Sequence, residues 1–143
     1  MAVRVKIRVK SRSSNKSLEI TVLVNGGAES TKPCIVVDED VARELGLWPI
    51  SHGRVLEVEE ASSISEAVVI EDSVELELIG DECEVLSRIK ADLVVQRELI
   101  EPLITDATID ELGIQVFGDM SATRQVGFAH QCLEYSDIRV LIA

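Results

Sequence analysis

Aromatic side chains are almost absent from this sequence, which has one Trp, one Tyr and two Phe among 143 residues. Hydrophobic residues still make up 46% of the chain, so its core must be aliphatic, and the β-branched valine and isoleucine favour strands. The length suits one domain with a sizeable core. We therefore expect residues 1–143 to form a single domain rich in β-structure.

Cysteines and long hydrophobic runs are also few. The three cysteines, Cys34, Cys83 and Cys132, are far apart and odd in number, which argues against a disulfide framework and favours small buried thiols. No apolar run approaches the roughly 20 residues that span a bilayer, and the first residues lack the apolar region of a signal peptide. We therefore expect a cytoplasmic protein with no membrane partner.

Positive charge is concentrated near the start of the chain, and the net charge is −12. An acidic body repels phosphates, which argues against a nucleic-acid partner. The early cations alternate with valine and isoleucine over residues 3–10, a pattern that predicts a strand with one buried and one charged face. We expect these cations to pair with carboxylates across a sheet, and we favour this over a nucleic-acid-binding arm.

Short apolar or alternating segments separated by polar turns predict an all-β protein. The expected strands are residues 3–10, 18–24, 34–37, 54–60, 67–70, 74–79, 83–86, 91–95, 114–117, 125–129 and 138–142. We expect turns at residues 71–73 and 80–82, and a mobile hairpin tip at residues 61–65. Many short strands with closely spaced turns predict a small closed β-barrel.

Two short helices are expected among the strands. Asp38 is a suitable N-cap for a helix over residues 39–45, and a second helix is expected over residues 107–112. Both end in Glu-Leu-Gly, and glycine is a common helix stop. The order of strand, polar turn and helix occurs over residues 23–46 and again over residues 93–113, which suggests a weak internal repeat.

The sequence is organised around residues 21–30, where an apolar strand ends at a polar residue. That residue is Asn25, and Gly26, Gly27 and Ala28 follow it. Such a turn presents one side chain at the end of a buried strand. The segment resembles the Asp-Thr/Ser-Gly-Ala turn of retropepsin-like aspartic proteases.

The likeness extends over about residues 18–117 and follows the family's order of elements. In the first half, residues 41–47 resemble the family's short helix ending in Leu-Gly-Leu, and residues 55–69 lie where its flap hairpin would be. In the second half, residues 91–95 resemble an aliphatic strand, residues 103–107 an aliphatic pair with its turn, and residues 111–114 the end of a second helix. The resemblance implies a retropepsin-like closed β-barrel with two short helices and a flap hairpin. It also implies a homodimer that binds an extended peptide and needs no cofactor.

The chemistry of that family needs two aspartates, one from each subunit, which share a proton and act as general base and general acid. This chain has Asn25 at the acid position and Gly26 at the position of a hydroxyl that joins the two loops. Because an amide cannot take a proton from water near neutral pH, we expect no catalytic residue here. Two asparagines across a two-fold axis could satisfy one another by reciprocal amide hydrogen bonds.

Other interpretations of these residues are less specific. Asn25 could be a turn residue that tolerates unusual backbone angles, or a deamidation site that would create an aspartate next to glycine. Four other acids could substitute for the missing one, but each lies near a predicted helix start, where carboxylates are expected without catalysis. They are Asp38, Asp40, Asp106 and Asp110.

No metal site is expected, because the histidines and cysteines do not follow a zinc-ligand spacing. The residues considered are His52, His130, Cys34, Cys83 and Cys132. The sequence also has no Ser/His/Asp signature, P-loop or dinucleotide fingerprint, so no cofactor is expected.

The chain ends in an apolar segment, residues 138–143, which we expect to be an exposed strand that invites pairing with a second copy. Together with the resemblance, this predicts a homodimer. The leading hypothesis is a non-catalytic, dimerising or peptide-binding module on an aspartic-protease scaffold. The alternatives are an active aspartic-type endopeptidase with unusual residues, and an acidic scaffold or interaction protein without a peptide groove.

Overall fold

The structure, a computed structural model, describes residues 3–49, 54–59, 64–117, 131–135 and 138–142. It is an all-β fold with two short helices, as predicted. The strands are β1 (Arg4–Ser11), β2 (Ser17–Val24), β3 (Cys34–Val37), β4 (Arg54–Glu59), β5 (Ile64–Ile79), β6 (Val85–Gln96), β7 (Leu103–Ile104), β8 (Ile114–Phe117), β9 (Gln131–Tyr135) and β10 (Ile138–Ile142). The helices are α1 (Glu39–Glu44) and α2 (Asp106–Leu112). Within these ranges, no helix has the length and apolar character needed to cross a membrane.

Six strands close into a barrel. Their order is β1, β2, β7, β3, β6 and β5, and β5 pairs back with β1, which confirms the predicted closed barrel. β4 forms an antiparallel hairpin with β5 outside this ring. Closure removes free edges from the ring and points alternate residues inward. In β1, for example, Val5, Ile7 and Val9 are fully buried.

The basic face of β1 pairs with carboxylates, as predicted. The guanidinium of Arg8 lies 3.1 Å from the carboxylate of Glu19, and the side-chain nitrogens of Arg8 and Lys10 each lie 3.3 Å from Glu77 Oε1. Arg88 on β6 donates two hydrogen bonds to Glu77 Oε2. Because the Glu77 side chain is only 1% exposed, its charge depends on these three cations for compensation.

The same contacts set the ionisation of Glu77. Burial alone would raise the pKa of its carboxyl, but hydrogen bonds from Arg88 and Lys10, with the positive charges of both residues, together lower it. A lowered pKa in the folded state stabilises the fold above the unfolded-state pKa. That contribution is lost as the pH falls through the folded-state pKa.

The two halves of the barrel have the same pattern of strand pairing. β2 is parallel to β7 and β6 is parallel to β3, while β3 and β7 are antiparallel to each other. Exchanging β1, β2, β3 and α1 for β5, β6, β7 and α2 therefore leaves the pairing pattern unchanged. Both helices end at a glycine with positive φ, 74° at Gly46 and 77° at Gly113. The weak repeat in the sequence thus corresponds to a repeat in the fold.

The prediction of a turn at residues 71–73 is wrong, because the chain does not reverse its direction there. β5 is one strand of 16 residues, and it pairs with β6 both before and after these residues, which form a bulge. The bulge is held by the amide N–H of Asp72, which donates to Asp92 Oδ1 at 2.8 Å, and by the Ser73 hydroxyl, which donates to the Ile70 carbonyl at 2.7 Å. A polar triplet of this kind resembles a turn locally, and Asp72 has φ of 49°, but the chain resumes its pairing with β6 at Val74 and does not reverse.

A second correction concerns β6, which is one strand where two were expected, at residues 83–86 and 91–95. The polar residues between them suggested a break. They lie opposite β5, where Arg88 faces Glu77 and Lys90 faces Glu75 in the register, so the strand continues. Cys83 belongs to the preceding turn, with φ of 64°.

The end of the chain also differs from expectation. β10 lies between β8 and β9 in a three-stranded antiparallel sheet, so the prediction of an exposed edge strand over residues 138–143 is wrong. The strand over residues 131–135 was not predicted. The strand expected at residues 125–129 and the tip at residues 61–63 lie outside the described residues, whereas residues 64 and 65 belong to β5.

The buried carboxylate makes a prediction about stability. Glu77→Gln should lower the free energy of unfolding by about 2 kcal/mol at neutral pH, because three cations lose their shared partner but keep some access to water. Because the pKa of Glu77 is lowered in the folded state, the difference from the parent protein should persist at mildly acidic pH and shrink only at a more acidic pH, where the parent carboxylate becomes protonated. Urea unfolding across this pH range measures both effects.

The matched control is Glu75→Gln, since Glu75 is 30% exposed and contacts the same Arg88. It should change the free energy of unfolding by less than about 0.5 kcal/mol. Equal losses in the two variants would contradict the special role of the buried carboxylate.

Candidate functional site

The turn that follows β2 is built around Asn25. Its backbone N–H donates to the Ile104 carbonyl at 3.2 Å, and its carbonyl accepts from the N–H of Ala28 at 3.1 Å. Its side-chain Oδ1 accepts from the N–H of Gly27 at 3.1 Å, which forms an Asx-turn. The amide of Asn25 therefore supports the turn that presents it.

Gly26 is exposed, and a Cβ placed on it would meet no atom within 4 Å. Its φ lies outside the left-handed region that favours glycine. The sequence suggested a turn with backbone packed closely around it, but at this position the turn has room for a side chain. Glycine at position 26 is therefore not required by the backbone.

Hydrogen bonds join the Asn25 turn to the start of α2. The amide N–H of Asp106 donates to the Ala28 carbonyl at 2.9 Å, and Asp106 Oδ1 accepts from the N–H of Ser30 at 3.0 Å. The hydroxyls of Ser30 and Thr105 lie 2.6 Å apart. Asp106 thus holds the loop and the helix together, a role that needs no proton transfer.

The remaining candidate acids also have structural roles or lie elsewhere. Asp38 caps α1 by accepting from the N–H of Val41 at 3.0 Å, as predicted. Asp40 pairs with Arg43 at 3.0 Å on the surface of the same helix. Asp110 is exposed on α2. None of these three lines the cleft beside Asn25.

Thr108 fixes the start of β3 and was not singled out from the sequence. Its hydroxyl accepts from the N–H of Cys34 at 2.8 Å and donates to the Cys34 carbonyl at 2.7 Å. Thr108 is fully buried, and its oxygen also lies 3.2 Å from the hydroxyl of Thr105. The two threonines at the start of α2 are the signal that could have indicated this role.

A cleft of about 360 Å³ opens beside the Asn25 turn. Its polar lining includes Asn25, Ser30 and Thr105, and its apolar lining includes Leu99 and Leu103. This volume falls in the range of small-ligand pockets. The cleft therefore combines an apolar wall with neutral hydrogen-bonding groups and one exposed carboxylate, that of Glu29.

Gln96 is the counterpart of Asn25 in the other half of the barrel. Leu23 on β2 pairs with Leu103, three residues before α2 begins. Val94 on β6 pairs with Val36, three residues before α1 begins, so Leu23 and Val94 occupy equivalent positions in the two halves. Asn25 and Gln96 follow two positions later. Gln96 is 8% exposed and lines the same cleft, so each half contributes one amide.

The thiol of Cys34 lies at the inner side of this cleft. Burial raises the pKa of the thiol, and hydrogen bonds with Thr105 and Ser30 oppose this only in part. The expectation of a buried thiol is confirmed for Cys34 and is wrong for Cys83, which is exposed. The same expectation for Cys132 is not tested, because its side chain lies outside those that the structure describes. Where side chains are described, no group of three or more His, Cys, Asp or Glu residues is arranged to hold a metal ion.

No protein-family model matches the chain, and a search of curated proteins gives no match.

The two thiols should differ in reactivity. In the native protein, Cys83 should react with iodoacetamide at least about tenfold faster than Cys34, because the Cys34 thiol is buried and its raised pKa lowers the thiolate fraction. Peptide mass mapping over time measures both rates. After denaturation in urea the two rates should become similar, and equal rates in the native protein would show that Cys34 is accessible.

Thr108→Val should lower the free energy of unfolding by about 2–3 kcal/mol, because it leaves the buried N–H and C=O of Cys34 without their partner. Valine has nearly the shape of threonine, so the change removes mainly the hydroxyl. Thr21→Val on an exposed position of β2 is the matched control and should be close to neutral. Urea unfolding of both variants makes the comparison, and similar values would show that the hydroxyl of Thr108 is dispensable.

Proposed function

We propose that the chain is a non-catalytic, retropepsin-like protein: a dimerising, peptide-binding module on an aspartic-protease scaffold. The observation that carries the proposal is Asn25, a neutral amide on an Asx-turn at the end of β2, beside a cleft of about 360 Å³. The scaffold offers a site for an extended ligand, and Asn25, which lines that site, has no acid–base chemistry near neutral pH.

The order of elements supports the scaffold. A strand, the Asn25 turn, a short strand and α1 are followed by the hairpin of β4 and β5, then by β6, β7 and α2. This is the order that the resemblance implies for the turn, the first helix, the flap and the second half. The hairpin extends beyond the barrel ring, as a flap would.

The chemistry of the cleft supports a binding role. Among the described residues that line it, Glu29 is the one carboxylate, and it is exposed to solvent. The described lining therefore lacks the pair of carboxylates that an aspartic protease uses to share a proton. Asn25, Ser30 and Thr105 instead provide the neutral donors and acceptors that suit a peptide backbone.

The side chain of Asn25 also supports the dimer. Its Oδ1 accepts from Gly27, and within the described residues its amide nitrogen donates no hydrogen bond. In a two-fold dimer of this scaffold, that nitrogen could donate to the amide oxygen of the partner's turn. The last strand gives no support to a dimer, because it is paired on both sides within the chain.

Restoring the missing groups tests the proposal. The parent protein should not cleave a denatured protein substrate at any pH from acidic to neutral, whereas Asn25→Asp with Gly26→Thr should. Both changes are compatible with the fold, since an aspartate keeps an acceptor for Gly27 and position 26 has room for a side chain. Asn25→Ala with Gly26→Thr is the matched control and should stay inactive.

The possible outcomes separate the hypotheses. Cleavage by the parent protein that Asn25→Ala abolishes would overturn the proposal in favour of an active endopeptidase. An inactive restored variant that is folded but monomeric by light scattering would overturn the dimeric scaffold. An inactive restored variant in a folded dimer would favour a pure scaffold without a peptide groove.

A further inference from the structure

A second cleft adjoins the one beside Asn25. It has a volume of about 320 Å³, and the two clefts share Gln96, Leu99 and Leu103 in their linings. Because the two clefts share these lining residues, they are neighbours beside the loop that connects β6 to β7. We call this surface the double groove.

The middle of the double groove is apolar. Leu99 and Leu103 lie between the two clefts, and Leu23 adds to the wall of the second. Ile100, on the same loop, is 99% exposed. Ile100 also lines the second cleft, so it adds exposed aliphatic surface to the double groove.

Each cleft of the double groove has an exposed carboxylate that the other cleft lacks. Glu29 lines the first cleft and Glu98 lines the second, and both residues are exposed. Neither forms an ion pair within the part of the chain whose side chains are described. By contrast, Glu101 is held by Arg4 at 2.7 Å, so the charge of that pair is balanced.

We propose that the double groove selects an extended peptide segment with aliphatic side chains at its centre and basic side chains on either side. This inference rests on the peptide-binding role proposed above and adds its specificity. The apolar middle supplies most of the affinity, since it removes aliphatic surface from water. The unbalanced carboxylates of Glu29 and Glu98 attract cations and repel anions, so they choose between segments of similar shape.

Fluorescein-labelled peptides of equal length test this specificity. Each has a central Leu-Leu pair, flanked on both sides by lysine, by serine or by glutamate. Fluorescence anisotropy at low salt should show the lysine peptide binding about fivefold tighter than the serine peptide, with the glutamate peptide weakest. Added salt should reduce the differences, because exposed charge pairs are screened.

Charge variants locate the effect. Glu29→Gln with Glu98→Gln should bind the lysine and serine peptides equally and should leave the affinity for the serine peptide unchanged. Glu82→Gln with Glu111→Gln removes the same charge from exposed positions that line neither cleft, and it should keep the preference. A preference that survives in the first variant would show that the net charge of the protein causes it, which would overturn the inference.

The outcomes also separate this inference from the proposed function. Equal binding of all three peptides by the parent protein would overturn the charge specificity and leave the peptide-binding role intact. Binding of none of them, by a correctly folded protein, would overturn both.

Discussion

The barrel depends on the two-residue strand β7 between β2 and β3. Around it, the N–H of Leu23 donates to the Pro102 carbonyl at 2.8 Å, and the N–H of Asn25 donates to the Ile104 carbonyl at 3.2 Å. Ile104 is fully buried. Without β7, the main-chain groups of β2 and β3 would face each other unpaired inside the protein, which is costly. The position of the Asn25 turn, the start of α2 and the walls of the cleft all follow from this insertion.

Around the Asn25 turn, the fold combines the carboxylate of Asp106, which accepts from the N–H of Ser30, with a set of neutral hydroxyl groups. Ser30, Thr105 and Thr108 form a chain of hydroxyls that reaches the backbone of Cys34. Such a chain holds the loop, the helix and the strand together without a buried ion. Two exposed carboxylates, Glu29 and Glu98, line the double groove, one in each cleft.

Much of the fold could be predicted because its signals are local. The alternation in β1, the N-cap at Asp38 and the glycines that end both helices each act within a few residues, and all were correctly assigned. The errors share a different cause. The bulge at residues 71–73, the unbroken β6 and the central position of β10 are each decided by a partner strand, and a segment's own sequence does not specify its partner.

The sequence by itself determined an aliphatic, strand-rich chain and a turn that begins with the amide side chain of Asn25, because those properties belong to the residues themselves. Only the tertiary structure decided which distant groups meet. It placed three cations around Glu77, Gln96 in the same cleft as Asn25, and Thr108 against Cys34, which is 74 residues away. The physical reason is strand register in a closed barrel, where shifting a pairing by one residue would turn every side chain of that strand to the opposite face.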